Sequence, residues 1–180
     1  VRRGNIKPGE AVCVVGTGAI GILAGQWAKL HGAERVVVKG RSGAKRELVQ
    51  QCGLEYSTDT DDSYNCVIEA VGSEKALEES LMLASPSGRI LLMGNPDGDR
   101  NLSRNLYWSI LRKQLTLIGT WNSSYGVQES DWAEVIQGID SKILSTIPLV
   151  SYILRFEELH TGLSIIRHKI KNFCKIAVLF

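Results

Sequence analysis

A glycine-rich turn, Gly16-Thr17-Gly18-Ala19-Ile20-Gly21, follows directly on an apolar strand predicted at 12–15 and leads directly into a helical stretch. Strand, turn and helix in this order are typical of a loop that binds a pyrophosphate, because amide groups at the start of a helix face the anion. The first glycine permits the turn, the second lets a phosphate approach the backbone, and the third allows close packing of helix on strand. We therefore predict that this glycine turn binds a dinucleotide through Gly16, Gly18, Ala19, Ile20 and Gly21; the alternative is a turn with a structural role only.

Short apolar runs alternate with helical patterns along the rest of the chain. The predicted strands are 12–15, 35–39, 55–57, 66–71, 89–93, 115–120 and 175–180. The predicted helices are 19–31, 43–51, 74–84, 105–113, 129–139 and 156–168. Strands that are apolar throughout belong to parallel sheets with helices on both faces. The predicted fold is therefore α/β, a doubly wound parallel sheet of the Rossmann type, in a single domain over residues 1–180.

The overall composition argues against two classes of function. The 180 residues are 44% hydrophobic and 22% charged, with a net charge of +2. These values are ordinary for one globular domain and give no sign of a surface that binds nucleic acid. No apolar run approaches the roughly 18 residues that a membrane span needs. The sequence starts with valine, and we expect it to be part of a longer protein.

The four cysteines do not form a metal-binding pattern. Cys13, Cys52, Cys66 and Cys174 contain no CxxC pair, and none stands at ligand spacing from a histidine. Zinc sites built from one segment of chain normally show such spacing. We therefore predict reduced thiols, a cytoplasmic protein and no metal-binding residue within this chain.

The residue that ends the second strand normally decides which dinucleotide is bound. An Asp or Glu there accepts hydrogen bonds from the ribose of NAD, but this chain has Gly40, followed by Arg41 and Ser42. Glycine removes the repulsion that a carboxylate would exert on the 2′-phosphate of NADP, and arginine can pair with that phosphate. We therefore predict NADP, bound through Gly40, Arg41, Ser42 and Arg46, in surroundings that Lys39, Lys45 and Arg46 make cationic. The alternative is a solvated basic loop with NAD bound less selectively.

Four further segments flank the predicted strands: Lys7-Pro8-Gly9-Glu10, Val67-Ile68-Glu69-Ala70-Val71-Gly72, Gly94-Asn95 and Gly119-Thr120-Trp121. Together they resemble the cofactor domain of the medium-chain, zinc-dependent alcohol and polyol dehydrogenases. The resemblance implies two groups of cofactor contacts. The adenosine side would be contacted by Ala70, Val71 and Gly72, and the nicotinamide by Met93, Gly94, Asn95, Thr120 and Trp121.

Residues 110–123 and the later Asp131-Trp132 resemble one subgroup, the galactitol-1-phosphate 5-dehydrogenases. Members of that subgroup usually carry an aspartate where this chain has Gly40. The resemblance implies a homodimeric oxidoreductase that transfers a hydride between a nicotinamide dinucleotide and a sugar alcohol or its phosphate. It also implies that a preceding domain, upstream of position 1, holds the zinc. No catalytic residue is therefore assigned to this chain, and the chain alone is expected to be inactive.

Several polar and aromatic residues keep two interpretations. Glu69 either contacts the adenosine ribose or is a strand-end carboxylate that accepts from backbone amides. Trp121, Asn122 and Tyr125 either line the active-site cleft or serve in packing. Lys175 either reaches the pyrophosphate, as the resemblance implies, or is a solvated lysine.

Other classes of protein share the glycine turn. A non-enzymatic sensor of NAD(P) would have the same turn, and the predicted nicotinamide loops argue against it because a sensor has no need to shape such a pocket. A methyltransferase usually has a tighter glycine turn after an acidic residue. A short-chain dehydrogenase needs a Tyr-x-x-x-Lys pair, and no lysine stands four positions after Tyr56, Tyr64, Tyr107, Tyr125 or Tyr152.

Overall fold

Six parallel strands form the main sheet of the computed structural model, which describes residues 1–59, 63–96, 98–126, 130–168 and 172–180. The strands are β1 Ala11–Val15, β2 Arg35–Lys39, β3 Glu55–Ser57, β4 Tyr64–Glu69, β5 Ala84–Leu92 and β6 Thr116–Gly119. Their spatial order is β3-β2-β1-β4-β5-β6, so the order reverses between β1 and β4. Doubly wound sheets bind ligands at the carboxyl ends of the strands beside such a reversal. The predicted α/β fold is confirmed.

Six α-helices lie in the described ranges: α1 Ala19–Leu30, α2 Arg46–Gln51, α3 Glu74–Leu83, α4 Arg104–Lys113, α5 Asp131–Asp140 and α6 Leu159–His168. Ser73, Ser103 and Ser130 each cap a helix, because their hydroxyl oxygens accept from the backbone N–H three residues on at 3.2–3.3 Å. The helix predicted at 129–139 therefore begins after Ser130, and Glu129 lies outside the described residues. No helix in the described ranges has the length and apolar character to cross a membrane.

The central strands are buried on both faces because their residues alternate between two apolar clusters. Val12 and Val14 of β1 lie with Ile22 of α1 in one cluster. Cys13 packs on the opposite face, with Leu81 of α3. All five residues are fully buried. Burial of a large aliphatic side chain contributes about 1.5–3 kcal/mol, so this layer forms a stable base for the loops at its edge.

A second, two-stranded parallel sheet consists of β7, Val150–Arg155, and β8, Lys175–Leu179. The strand predicted at 175–180 is present as β8, whereas the sequence analysis did not predict β7. Residues of β7 are exposed or half-buried, so they lack the continuous apolar run of a buried strand. The strand β5 also begins five residues earlier than predicted, because Ala84 pairs with Tyr64 before the register shifts.

An ion pair joins the segment before β1 to β5. The Glu10 carboxylate accepts from the Arg89 guanidinium and from the Lys7 backbone N–H (2.9 Å). The side chains of Arg89 and Glu10 are only 20% and 15% exposed. Burial raises the pKa of Glu10, but the hydrogen bonds from Arg89 and Lys7 and their positive charges outweigh it. The pKa of Glu10 therefore lies below its ordinary value.

Glu10→Gln is expected to lower the free energy of unfolding by about 1–2 kcal/mol at neutral pH, because a charged hydrogen-bond acceptor is lost. A carboxylate with a depressed folded-state pKa stabilises above its unfolded pKa, and this contribution disappears as the pH falls through the folded pKa. The difference between wild type and variant should therefore shrink below about pH 4. Urea unfolding of both proteins as a function of pH measures this difference in the free energy of unfolding.

Glu55→Gln is the matched control for Glu10→Gln. The Arg35–Glu55 pair (2.9 Å) has side chains that are 45% and 57% exposed, and such a pair contributes only a few tenths of a kcal/mol, roughly. An equal loss of stability in the two variants would contradict the role given to the Glu10 pair.

Candidate functional site

The loops that follow β1, β2, β4, β5 and β6 lie along the carboxyl edge of the main sheet. Most of the residues that the sequence predicts to bind cofactor lie in these loops, whereas Ala19, Ile20 and Gly21 lie in the first turn of α1, Arg46 begins α2 and Lys175 lies in β8. Neighbouring loops also contact each other: Gly16 in the β1 loop lies against Val71 in the β4 loop, and Gly72 lies against Asn95 in the β5 loop. The fold therefore brings residues from distant parts of the sequence to one edge.

Two glycines of the glycine turn are required by close contacts. Gly16 has φ +127°, and its N–H donates to the Lys39 carbonyl oxygen (3.0 Å). A methyl group on Gly16 would lie 2.9 Å from Val71 Cγ2, and one on Gly21 would overlap the Gly16 carbonyl oxygen. The first glycine thus permits the turn, and the third permits α1 to pack against it.

Gly18 differs from these glycines because it faces open space. It precedes α1 with φ −76°, and apart from Gly18 itself and its two chain neighbours no heavy atom of the described residues lies within 4 Å of a methyl group built on it. The first intrahelical bond runs from the Ile22 N–H to the Gly18 carbonyl oxygen (2.9 Å). The amides before Ile22 are therefore those that a helix leaves to an external acceptor. Ala19 is buried, whereas Ile20 is 61% exposed. Binding of a pyrophosphate beside the start of α1 stays a prediction.

The loop after β2 carries the predicted phosphate-binding residues at the surface. Gly40 donates its N–H to a carbonyl oxygen of β3 (3.2 Å), and Arg41 and Ser42 are exposed. The Arg46 guanidinium lies 4.9 Å from the ring centre of Tyr56. A guanidinium above an aromatic face is held in a favourable orientation. Two arginines and a serine therefore offer hydrogen-bond donors for an anion at the end of β2.

Lys39 does not add positive charge to this surface, and the expectation that it would is wrong. Lys39 is 2% exposed; its amine donates to the Thr58 carbonyl oxygen (2.9 Å) and pairs with the Glu79 carboxylate (3.1 Å). A buried ammonium needs such partners because its desolvation is costly. Lys39 therefore belongs to the interior beneath the loop, and Arg41 and Arg46 carry charge at the surface.

Glu69 organises the loops after β4 and β5. Its carboxylate accepts from the backbone N–H groups of Val71 (2.8 Å) and Gly72 (2.7 Å). Its carbonyl oxygen accepts from the N–H groups of Met93 and Gly94 (2.9 Å each). Glu69 is 3% exposed. Of the two interpretations of this residue, the structure agrees with the strand-end carboxylate that accepts from backbone amides.

The β4 and β5 loops pack so closely that both need glycine. Gly72 has φ +85°, and a methyl group on it would overlap the backbone of Asn95; one on Gly94 would overlap the Gly72 amide. The Arg100 guanidinium further joins the loops by donating to the Gly72 carbonyl oxygen and to two carbonyl oxygens of its own loop (2.9 Å each). The sequence analysis missed Arg100, because no local pattern indicates such a contact.

A cavity of about 560 Å³ lies between the ends of β5 and β6. Thr120 is held at its edge by a hydrogen bond from its N–H to the Leu92 carbonyl oxygen (3.1 Å). Trp121 is 80% exposed, so its ring is available to a ligand at this concave surface. Tyr125 is not among the lining residues. Asn95, predicted to contact the nicotinamide, does not line the cavity either. The other residues predicted there do line it, together with Gly119 and Asn122: they are Met93, Gly94, Thr120 and Trp121.

Lys175 starts β8 and pairs with Val150 in the second sheet rather than the main one. Its contact with a pyrophosphate stays a prediction.

The cysteines and the acidic side chains do not assemble into a metal centre in the described part of the chain. All four cysteines are free. Burial raises the pKa of Cys66 to about 11. No group of three or more His, Cys, Asp or Glu side chains among the described residues could hold a metal ion. These residues therefore do not fit a zinc site.

A protein-family comparison matches residues 19–141, which run from the start of α1 through the loops after β2, β4, β5 and β6, to the family described as zinc-binding dehydrogenase. This chain belongs to that family. The match covers more than half of the chain and includes α1 to α5. The matched residues contain five of the six strands of the main sheet, β2 to β6, whereas β1 and the first half of the glycine turn precede them.

Individual relatives resemble the dehydrogenase chain over about half of their own length. Galactitol 1-phosphate 5-dehydrogenase of Escherichia coli K12 is 27% identical over 161 residues, which are 81% of this chain and 46% of that protein. The crystal structure of galactitol-1-phosphate dehydrogenase from Escherichia coli superposes with a TM-score of 0.82 at 25% identity, covering 92% of this chain and 52% of that one.

Two further solved structures share the fold at lower identity. A zinc-binding dehydrogenase from Sinorhizobium meliloti 1021 bound to NADP has a TM-score of 0.80 at 19% identity, covering 98% of this chain and 53% of that one. An alcohol dehydrogenase from Escherichia coli CFT073 complexed with NADH has a TM-score of 0.81 at 21% identity, covering 99% and 55%. Solved structures of this fold thus hold either NADP or NADH.

Proposed function

We propose that this chain is the cofactor-binding part of an NADP-dependent polyol dehydrogenase. The observation that carries the proposal is the open space at Gly18, beside the amides that start α1. A side chain at this position would fill that space, and a pyrophosphate can occupy it. Membership of the zinc-binding dehydrogenase family supports the same assignment. When bound, a nicotinamide dinucleotide supplies the hydride acceptor or donor, and the protein binds and orients it.

Each loop has a separate role in this proposal. The glycine turn binds the pyrophosphate with backbone amides, and the loop of Gly40 binds the adenosine ribose and its phosphate. Residues 70–72 flank the adenosine side, held in place by Glu69. The cavity between β5 and β6 receives the nicotinamide, where Trp121 supplies apolar surface and Thr120 a hydroxyl group.

The preference for NADP over NAD follows from the charge at the end of β2. Because position 40 is glycine, no carboxylate at that position repels a 2′-phosphate. Arg41 and Arg46 are both exposed, so they can pair with a phosphate without a large prior cost of desolvation. Arginine recognises phosphate with two parallel hydrogen bonds, each about twice as strong as a neutral one.

NADPH is expected to bind at least about tenfold more tightly than NADH, a difference of about 1.4 kcal/mol. Arg41→Ala should remove most of this preference by weakening NADPH binding alone, because NADH has no 2′-phosphate. Fluorescence titration with each reduced cofactor measures both affinities. Arg167→Ala removes an equal charge from an exposed position on α6 and should change neither affinity by more than about twofold.

Two results would contradict parts of this proposal. Equal or tighter binding of NADH would overturn the NADP assignment and leave the dinucleotide site in place. Binding of neither cofactor to this chain, in a protein that folds, would contradict the cofactor role given to the glycine turn here.

The whole protein is proposed to act on a sugar alcohol or its phosphate, with galactitol 1-phosphate as the first substrate to test. The 27% identity to the Escherichia coli galactitol enzyme supports this choice. Zinc is proposed to bind outside this chain, because the described residues hold no metal-binding group. A homodimer is part of the same proposal, since β6 is an edge strand with mostly exposed residues.

The substrate proposal is tested by reduction of NADP with galactitol 1-phosphate, using the full-length protein with and without a zinc chelator. Chelator-sensitive turnover is expected. Cofactor binding without turnover of any sugar alcohol would instead favour a sensor of NAD(P).

A further inference from the structure

The space beside Gly40 is already filled by Tyr56. A methyl group built on Gly40 would lie 2.7 Å from the Tyr56 hydroxyl oxygen and 3.0 Å from its Cε2 atom. It would also lie 2.9 Å from Thr17 Cγ2, a methyl group that can rotate away. Any side chain at position 40 therefore requires Tyr56 to move.

Tyr56 is held where it is by three contacts. It lies in β3 opposite Val38 of β2 and is only 8% exposed. Its hydroxyl group donates to the Ser42 carbonyl oxygen, and the Arg46 guanidinium stacks on its ring. Displacing Tyr56 would break the hydrogen bond and remove the surface that orients Arg46. The tyrosine is therefore less free to move than an exposed side chain of equal size.

We propose that Tyr56 determines cofactor specificity as a positioning residue, by excluding a side chain at Gly40 and by orienting Ser42 and Arg46 toward the ribose phosphate. The identity of that ligand rests on the proposed function. A carboxylate that would select NAD cannot be introduced at position 40 while Tyr56 stays in place. Glycine at position 40 and tyrosine at position 56 are on this basis one coupled feature, although Gly40 follows β2 and Tyr56 lies in β3.

The coupling is tested with Gly40→Asp, Tyr56→Leu, Tyr56→Phe and the two double variants, by titration with NADH and NADPH. Gly40→Asp alone should bind NADH no better than wild type. Adding Tyr56→Leu to it should tighten NADH binding by at least about tenfold, because the carboxylate can then be accommodated beside the ribose. Tyr56→Leu alone should weaken NADPH by about three- to tenfold and NADH by less than about twofold.

Tyr56→Phe tests the same inference if the Tyr56→Leu protein does not fold. It keeps the ring under Arg46 and removes only the oxygen nearest to Gly40. The double variant with Gly40→Asp and Tyr56→Phe should therefore bind NADH at least about threefold more tightly than the single variant Gly40→Asp. A strong NADH preference in Gly40→Asp with Tyr56 intact would overturn the inference. Independent effects of the two substitutions on NADH affinity would also overturn it.

Failure of the proposed NADP preference is distinguishable from failure of this inference. If wild type binds NADH as tightly as NADPH, the NADP assignment fails, but the coupling is still measured in NADH affinity alone. If neither cofactor binds, the coupling is measured in stability. Gly40→Ala should then lower the melting temperature in wild type and clearly less in Tyr56→Phe, and equal losses would overturn the inference.

Discussion

Gly21→Ala is expected to destabilise the protein by about 3 kcal/mol and to abolish measurable dinucleotide binding. The added methyl group would overlap the Gly16 carbonyl oxygen and approach Val14 Cγ1 at 3.4 Å. The Gly16 backbone cannot easily yield, because its N–H is bonded to the Lys39 carbonyl oxygen. The start of α1 must therefore shift away from β1, and the amides that face the pyrophosphate shift with it.

Urea unfolding and cofactor titration on the same samples measure both effects of Gly21→Ala. Gly43→Ala is the control for adding a methyl group, because no heavy atom of the described residues lies within 4 Å of that position. Gly18→Ala separates stability from binding: the position is equally open, so stability should hold while binding weakens by at least about tenfold. A Gly21→Ala protein that binds either cofactor normally would contradict the packing role of this glycine.

Glu69→Ala is expected to cost about 3 kcal/mol of stability and to weaken cofactor binding. Two charge-assisted hydrogen bonds to the Val71 and Gly72 amides are lost, and each contributes about 1.5–3 kcal/mol. Because Glu69 is 3% exposed, water cannot freely replace the carboxylate. The β4 loop should then lose its fixed conformation beside the β5 loop, where Gly94 and Gly72 are in close contact.

Glu69→Gln is the matched variant, since its amide oxygen can still accept from the two backbone N–H groups. It should retain most of the binding and cost about 1 kcal/mol of stability. Thermal unfolding, cofactor titration and amide exchange at Val71 and Gly72 report these effects. Normal exchange protection of these two amides in Glu69→Ala would show that the carboxylate does not hold the loop.

The buried strands and the glycine turn could be predicted because their patterns are local. Residues 12–15 and 36–38 are apolar at every position, which is the pattern of strands covered on both faces. The helix start at Ser73 is also local, because the serine hydroxyl accepts from the N–H three residues on. The start of α5 at Ser130 was missed, since that helix was predicted from position 129. The strand β7 was missed because it is half-exposed and its sequence lacks such a run.

The side-chain environment of the site could not be predicted in the same way. The sequence predicts Lys39 to be a surface cation, yet the fold buries it against Thr58 and Glu79. Arg100 stands in a polar segment, yet it joins two loops through the Gly72 carbonyl oxygen. Each of these contacts joins residues that are far apart in the chain, so no spacing rule indicates them.

The sequence by itself determined the class of fold, the position of the glycine turn and the glycine at the end of β2, because periodicity and glycine spacing act within a few residues. Only the tertiary structure decided what surrounds that glycine. The order β3-β2-β1 and the register of β3 place Tyr56 beside Gly40. Strand order depends on how whole apolar faces pack, and that information is spread over the entire chain.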